Sequence, residues 1–96
     1  MRKNNKENLN TMSKVVEIIA AKHVRNYILE LSFSDGKKIN VDFGEFLNKR
    51  PHVQHDKYKS LKLFKSFRIE DGNVVWGKEW DMIFPLEQLY AGKIKI

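Results

Sequence analysis

The sequence predicts a small α+β domain: a mainly antiparallel, curved sheet of two β-hairpins plus added strands, with two or three short helices. Two apolar stretches predict the hairpins, each interrupted by an Asp-Gly pair, at Asp35-Gly36 and Asp71-Gly72, and apolar and polar residues alternate clearly around the first. The length of 96 residues suffices for one hydrophobic core and is too short for two domains.

Composition narrows the class of protein. The apolar content of 42% is typical of a globular chain. No segment approaches the ~20 apolar residues of a membrane helix, and residues 1–14 lack the apolar stretch of a signal peptide. The absence of cysteine excludes disulfides and thiolate metal sites. We therefore expect a cytoplasmic protein that has no membrane association and no cofactor.

The N-terminal region differs from the rest of the chain. Residues 1–13 are polar and charged and show no periodicity, so we expect a disordered leader there and a single α+β domain over residues 14–96. The sequence leaves open whether Met12 is the natural start. Val15 to Ile19 is β-branched except for Glu17 and predicts the first strand.

The clearest alternation lies on both sides of Ser34-Asp35-Gly36. A two-residue loop would place apolar residues opposite polar ones. A three-residue loop with Gly36 in the left-handed conformation makes one face wholly apolar, and we therefore predict it. The predicted pairs are Leu31–Ile39, Leu29–Val41 and Tyr27–Phe43.

Two helices are predicted to follow. Asp42 can cap a short helix over Gly44 to Asn48, and Pro51 makes Lys49 to Asp56 a loop. A second helix is predicted from about Lys57 to Ser66. On a helical wheel its apolar arc contains Leu61, Leu63, Phe64 and Phe67, and its opposite arc contains Lys59, Lys62 and Lys65.

The second hairpin is predicted around Asp71-Gly72. A two-residue turn pairs Ile69 with Val74 and Phe67 with Trp76, and a shifted register that pairs Phe67 with Val75 is the less favoured alternative. Glu79 to Ile83 can add a strand. Pro85 suits the first position of a final helix, and Lys93 to Ile96 is an edge strand or a frayed tail.

A series of short motifs in this order resembles the prokaryotic family called domain of unknown function 2442, over about Lys14 to Ala91. The motifs are Phe33-Ser34-Asp35-Gly36, Val41-Asp42-Phe43, Phe64, Phe67, Asp71-Gly72-Asn73-Val74-Val75-Trp76, Asp81, Pro85, Leu89 and Tyr90. The resemblance implies a compact α+β fold, a prokaryotic origin and no established catalytic activity. It also implies an antitoxin-like pairing with a small partner protein in some members and a fused helix-turn-helix domain in others. We do not expect such a domain after Tyr90 in this sequence.

This chain departs from the family pattern at two positions. Trp80 stands where the family usually has a small residue. Phe84 stands where a capping Asp or Ser is usual, so the final helix should be less well capped. The motifs that carry the resemblance are turn glycines, core aromatics and helix ends, and they imply a fold without an active site.

The net charge of +6 comes from one segment, Lys49 to Arg68, which contains seven basic residues and one acid, Asp56. Such a patch can bind phosphates. Base readout would need aromatic or amide side chains on the same face, so any nucleic-acid binding would be weak and without sequence specificity. The candidate anion-binding residues are Lys49, Arg50, Lys59, Lys62, Lys65 and Arg68.

Trp76 and Trp80 are the candidate aromatic anchors. They lie four residues apart, which would place both on one face of a strand. Trp76 matches the core tryptophan of the resembled family and is expected to be buried. Trp80 needs either a pocket or an exposed position, and we identify it as a candidate partner contact.

Catalytic patterns are weak in this chain. His52, His55 and Asp56 have the spacing of metal ligands on a helix, but Pro51 disfavours a helix there and no fourth ligand is evident. Arg50 and His55 match an arginine–histidine spacing of helical ribonucleases, which the strand content makes a chance match. The glycines are isolated, so no phosphate loop exists.

We therefore expect a non-catalytic interaction module that binds a partner protein. The alternative is a weak nucleic-acid-binding accessory protein that uses the basic helix of residues 57–68.

Overall fold

The computed structural model describes residues 16–49, 52 and 54–94. The predicted leader over residues 1–13 lies outside this part, as do Val15, Arg50, Pro51 and the last two residues of the tail. Within it, the chain forms two three-stranded antiparallel sheets, three short α-helices and one 3₁₀ turn. The predicted α+β class is confirmed.

The first sheet has the strand order β1-β2-β3. Its strands are β1 (Ile18–Arg25), β2 (Ile28–Phe33) and β3 (Lys38–Asp42). The prediction that the first strand covers Val15 to Ile19 was wrong in its bounds. A β-bulge between Ile18 and Ala20 leaves Ile19 unpaired and 61% exposed, and a bulge interrupts the period of two on which strand prediction relies.

The β2–β3 hairpin has the predicted three-residue loop. Leu29 pairs with Val41 and Leu31 with Ile39, and the Phe43 N–H donates to the Tyr27 carbonyl at 2.9 Å. Gly36 has a φ of 96°, as the bulge requires. The apolar face therefore points into the core, where Leu29, Leu31 and Val41 are fully buried.

The second sheet has the order β4-β5-β6, formed by β4 (Arg68–Glu70), β5 (Asn73–Trp76) and β6 (Met82–Ile83). Ile69 pairs with Val74, so the favoured two-residue register is confirmed. The strand predicted over Glu79 to Ile83 is only two residues long, at Met82–Ile83. The Ile18 N–H donates to the Gly72 carbonyl at 2.8 Å and joins the start of β1 to the turn of this hairpin.

The helices are α1 (Gly44–Lys49), α2 (Leu61–Phe64) and α3 (Leu86–Ala91), with the 3₁₀ turn at Asp56–Lys59. The Gly44 N–H donates to Asp42 Oδ1 at 2.8 Å, as the cap at Asp42 predicts. Pro85 precedes α3 and does not occupy its first position, and no side chain caps this helix among the residues described.

The predicted continuous helix from Lys57 to Ser66 was wrong. Ser60 has an extended backbone, with a ψ of 122°, and separates the 3₁₀ turn from α2. The break buries Tyr58 together with Phe64, while Leu61 and Leu63 are 42% and 40% exposed. The single apolar arc of the helical wheel therefore does not exist, because the two halves of the segment have different orientations.

Trp76 lies at the centre of the core between the sheets and helices. It is fully buried and stacks on Phe64 with ring centroids 5.6 Å apart, while the ring of Phe43 meets it at a steep angle. Its Nε1 donates to the Phe64 carbonyl at 2.7 Å. These contacts of Trp76 hold β5 against the end of α2. They thereby position β4, which pairs with β5, relative to α2.

Candidate partner-binding surface

Trp80 occupies the turn between β5 and β6, with its side chain 40% exposed. Its backbone has a φ of 57°, a conformation that costs an aromatic residue about 1–3 kcal/mol. The indole Nε1 donates to Glu70 Oε1 at 2.6 Å, and Arg68 Nε donates to Glu70 Oε2 at 2.6 Å. A chain of polar contacts thus fixes the exposed indole against β4.

Trp76 and Trp80 do not share a face, contrary to the prediction. Residues 77–80 form a turn and not a strand, so the rule that residues four apart point the same way does not apply. Trp76 pairs with Met82 on the core side of the second sheet, and both are buried. Trp80 instead contacts Glu70, which shares the outer face with Arg68.

The outer face of the second sheet is partly apolar. Val75 pairs with Arg68 and with Ile83, which places these three side chains on that face. Val75 is fully buried there, while Ile83 is 40% exposed. With Trp80, this face presents two large apolar side chains to solvent next to an arginine and a carboxylate.

A groove of about 700 Å³ adjoins this face. Its lining residues are Lys57, Tyr58, Leu63, Ser66, Arg68, Glu70, Gly77 and Lys78. Leu63 supplies an exposed apolar wall, and Arg68 and Glu70 connect the groove to Trp80. We refer to Leu63, Arg68, Lys78, Trp80 and Ile83 as the Trp80 surface.

Asp81 organises one side of the groove. Its carboxylate lies 3.1 Å from Lys57 Nζ and accepts a long hydrogen bond of 3.5 Å from the Tyr58 hydroxyl. The contact with Asp81 raises the pKa of Lys57. The charge of Lys57 is therefore largely balanced, whereas Lys78 forms no ion pair with any residue for which the structure gives a position.

The predicted basic patch is divided among several elements. Lys49 lies on α1, Lys59 in the 3₁₀ turn, Lys62 on α2 and Arg68 on β4, with Lys65 just after α2. Three of these side chains are paired: Lys49 with Glu45 at 2.8 Å, Lys59 with Asp56 at 3.7 Å and Arg68 with Glu70 at 2.6 Å.

Lys62 and Lys65 are the members of the patch that remain unpaired in the described part of the chain, and Arg50 lies outside it. The basic helix of residues 57–68 was wrong as a single helix. The continuous cationic face that the wheel predicted is absent over the described residues, because Ser60 divides the segment and three acids from the chain balance part of the charge.

His52, His55 and Asp56 pack as a local loop cluster. The His52 N–H donates to Asp56 Oδ1 at 3.1 Å, and the two imidazole rings lie 4.6 Å apart. No group of three or more potential ligands with metal-binding geometry occurs in residues 16–49, 52 and 54–94. The arginine–histidine match cannot be placed, since Arg50 is not described.

The surroundings of His55 predict that unfolding is sensitive to mildly acidic pH. Its buried Nδ1 has no hydrogen-bond partner in the described structure, and its ring packs on Phe46. Burial, and secondarily the charge of His52, lowers the pKa of His55 below its usual value of 6.5, while Asp81 and Asp56 oppose the shift. Between the lowered pKa of folded His55 and its usual value of 6.5, the unfolded chain binds more protons than the folded chain.

We therefore expect the free energy of unfolding to fall as the pH decreases from about 6.5 through the lowered pKa of His55. Urea unfolding at closely spaced pH values between 7.5 and 5 measures this slope. His55→Gln should flatten it, and an unchanged slope in that variant would contradict the assignment. Hydrogen bonds lower the pKa values of Asp35 and Glu70, so these two carboxylates affect the free energy of unfolding only at more acidic pH.

Sequence reasoning identified Trp80 and Arg68 but missed the rest of the Trp80 surface. Leu63 was assigned to the core by the wheel, and Ile83 and Lys78 carried no signal. Only the pairing of β4, β5 and β6 shows that Ile83 and Arg68 share a face.

Comparison with known proteins identifies a family and no activity. The family model described as "Protein of unknown function (DUF2442)" matches residues 18–95. Neither a curated protein nor a solved structure matches the chain. None of the helices in the described residues is long and apolar enough to cross a membrane.

Proposed function

The chain belongs to the DUF2442 family of proteins of unknown function, and from this premise we propose that it is a protein-binding module that contacts its partner through the Trp80 surface. The carrying observation is the exposed indole of Trp80, which is held in place by Glu70 on a sheet whose outer face also exposes Ile83. Tryptophan and arginine are the residues most enriched at the energetic centres of protein interfaces.

Pre-organisation supports this role. Trp80 is tied to Glu70 and through it to Arg68, so little side-chain freedom remains to be lost when a partner binds. The partner is a different protein and not a second copy, because the net charge of +6 opposes self-association through a face that carries Arg68 and Lys78. The antitoxin-like pairing that the family resemblance implies stays a prediction.

Trp80→Ala should weaken binding of the partner by about 30-fold or more, since truncation of a central interface tryptophan costs about 2 kcal/mol or more. The tagged chain is co-expressed with the products of its adjacent genes, and calorimetry gives the affinity for the protein that co-purifies. Lys62→Glu is the control, because Lys62 lies on α2 outside the Trp80 surface, and it should retain binding within about twofold.

The proposal fails if Trp80→Ala, shown by urea unfolding to be folded, binds the partner as tightly as the unchanged chain does. It fails equally if Lys62→Glu is the more damaging substitution.

A second candidate function is weak, non-specific nucleic-acid binding. The observation in its favour is that Lys62 and Lys65 are not balanced by any acid in the structurally described residues. Binding of an oligonucleotide that weakens steeply with salt and is abolished by reversing both charges would support this function. The absence of a mobility shift at low salt would eliminate it.

A further inference from the structure

Resting on the proposed function, we propose that the partner binds through an acidic segment whose carboxylates face Arg68 and Lys78 and whose apolar side chain packs against Leu63 and Trp80. The inference adds the chemistry of the partner to the position of the interface. It depends on three properties of the groove and its rim: unbalanced positive charge, free donors and an adjoining apolar wall.

The charge of the groove is unbalanced. Lys57, Arg68 and Lys78 line it, against a single lining carboxylate, that of Glu70. Asp81 holds Lys57 at 3.1 Å and Glu70 holds Arg68, which leaves Lys78 without an acidic partner in the described chain. An approaching carboxylate therefore meets a net positive potential, whereas a cationic segment is repelled.

Arg68 retains donors for a carboxylate. Its ion pair with Glu70 uses Nε, at 2.6 Å. The hydrogen bond to Glu70 uses only Nε, and the two Nη groups carry the other four of the five N–H donors of the guanidinium. Because this planar group can bind a carboxylate through two parallel hydrogen bonds, it can accept a partner's acid while Glu70 stays in place.

The apolar wall explains why the proposed partner segment carries an apolar side chain. Leu63 is 40% exposed and lines the groove, and Trp80 is equally exposed and joins the groove through Glu70. Exposed aliphatic and aromatic groups beside unbalanced cations match an acidic segment that contains an apolar anchor. A phosphate backbone has no apolar group to bury, and a nucleic-acid base that stacks on Trp80 would leave the aliphatic wall of Leu63 unused.

The indole signals of the two tryptophans provide the test. The ¹⁵N-labelled full chain is titrated to millimolar concentration with the capped peptide Asp-Glu-Leu-Phe-Glu-Asp, and in parallel with Lys-Lys-Leu-Phe-Lys-Lys. The acidic peptide should shift the Trp80 Nε1 signal and the amides around Arg68 and Lys78, while the buried Trp76 Nε1 stays in place as an internal reference. The basic peptide should shift neither.

Matched charge reversals complete the test. Lys78→Glu should weaken binding of the acidic peptide by about tenfold. Lys38→Glu, the same change on β3 of the other sheet, should leave its affinity within about twofold. The inference is overturned if the two peptides bind alike, if neither binds, or if both reversals act equally. Shifts centred on Lys62 and Lys65 that an oligonucleotide reproduces would also overturn it, as would a Trp80 signal that moves on dilution, which indicates a second copy.

Binding of the co-purified partner distinguishes the proposed position of the interface from the proposed acidic chemistry of the partner. If Trp80→Ala abolishes binding of the co-purified protein while Lys78→Glu leaves it intact, the interface stands and its acidic chemistry is wrong. If neither substitution has an effect, the position of the interface is wrong as well.

Discussion

Trp76→Phe is expected to lower the free energy of unfolding by about 2–4 kcal/mol. The substitution removes ring volume from a fully buried site and leaves the Phe64 carbonyl without the N–H that now donates to it at 2.7 Å. Urea unfolding followed by far-ultraviolet circular dichroism measures the loss without relying on tryptophan fluorescence.

Trp80→Phe is the matched control for this prediction. It removes a similar indole hydrogen bond, the one to Glu70, but at a position that is 40% exposed, where water can replace the lost donor. We expect a change within about 0.5 kcal/mol. Equal losses in the two variants would contradict the assignment of Trp76 to the core and Trp80 to the surface.

Gly77→Ala is expected to destabilise the fold by about 2–4 kcal/mol. Gly77 has a φ of 88°, which a residue with a Cβ adopts only with strain. A Cβ there would also lie 2.6 Å from Asp81 Oδ2 and 2.8 Å from the Tyr58 hydroxyl oxygen, so the contact between Asp81 and Tyr58 would have to shift.

Gly36→Ala separates these two causes. Gly36 has a similar φ of 96°, but a Cβ at this position would meet nothing within 4 Å. Gly36→Ala should therefore lower the free energy of unfolding by the backbone cost alone, about 1–2 kcal/mol. Thermal or urea unfolding of the two variants compares them directly, and a Gly36→Ala loss as large as that of Gly77→Ala would show that the overlap with Asp81 and Tyr58 has no weight.

The hairpins could be predicted because their causes are local. Around Gly36, alternation leaves one register in which apolar residues coincide, and the Asp71-Gly72 pair favoured the observed register of the second hairpin over a shifted alternative. The segment from Lys57 to Ser66 could not be predicted in this way. Its extended Ser60 accompanies the burial of Tyr58, whose hydroxyl meets Asp81 from a distant part of the chain, and no helical period in the segment itself records that contact.

The candidate site shows the same division. Counting along the chain locates seven cations between Lys49 and Arg68 and the one acid among them, Asp56, which pairs with Lys59. The acids that balance Lys49, Lys57 and Arg68 are Glu45, Asp81 and Glu70, which all lie outside that run. Trp80 was recognisable as a large residue where the resembled family has a small one, although it was predicted to lie in a strand. Its hydrogen bond to Glu70 was not, since the bond depends on the pairing of β4 with β5 and on the turn of residues 77–80.

The amino-acid sequence alone determined the α+β class and the two glycine-centred hairpins, because turn geometry and alternation act between residues that are close in the chain. The burial of Trp76 was expected from the family resemblance. Only the tertiary structure decided that Leu63 and Lys78 line one groove, that Trp80 joins it through Glu70, and that Lys57 has an acidic partner among the described residues while Lys78 has none. Ion pairs and shared faces depend on distances in space, and they arise only after the two sheets and the short helices have packed together.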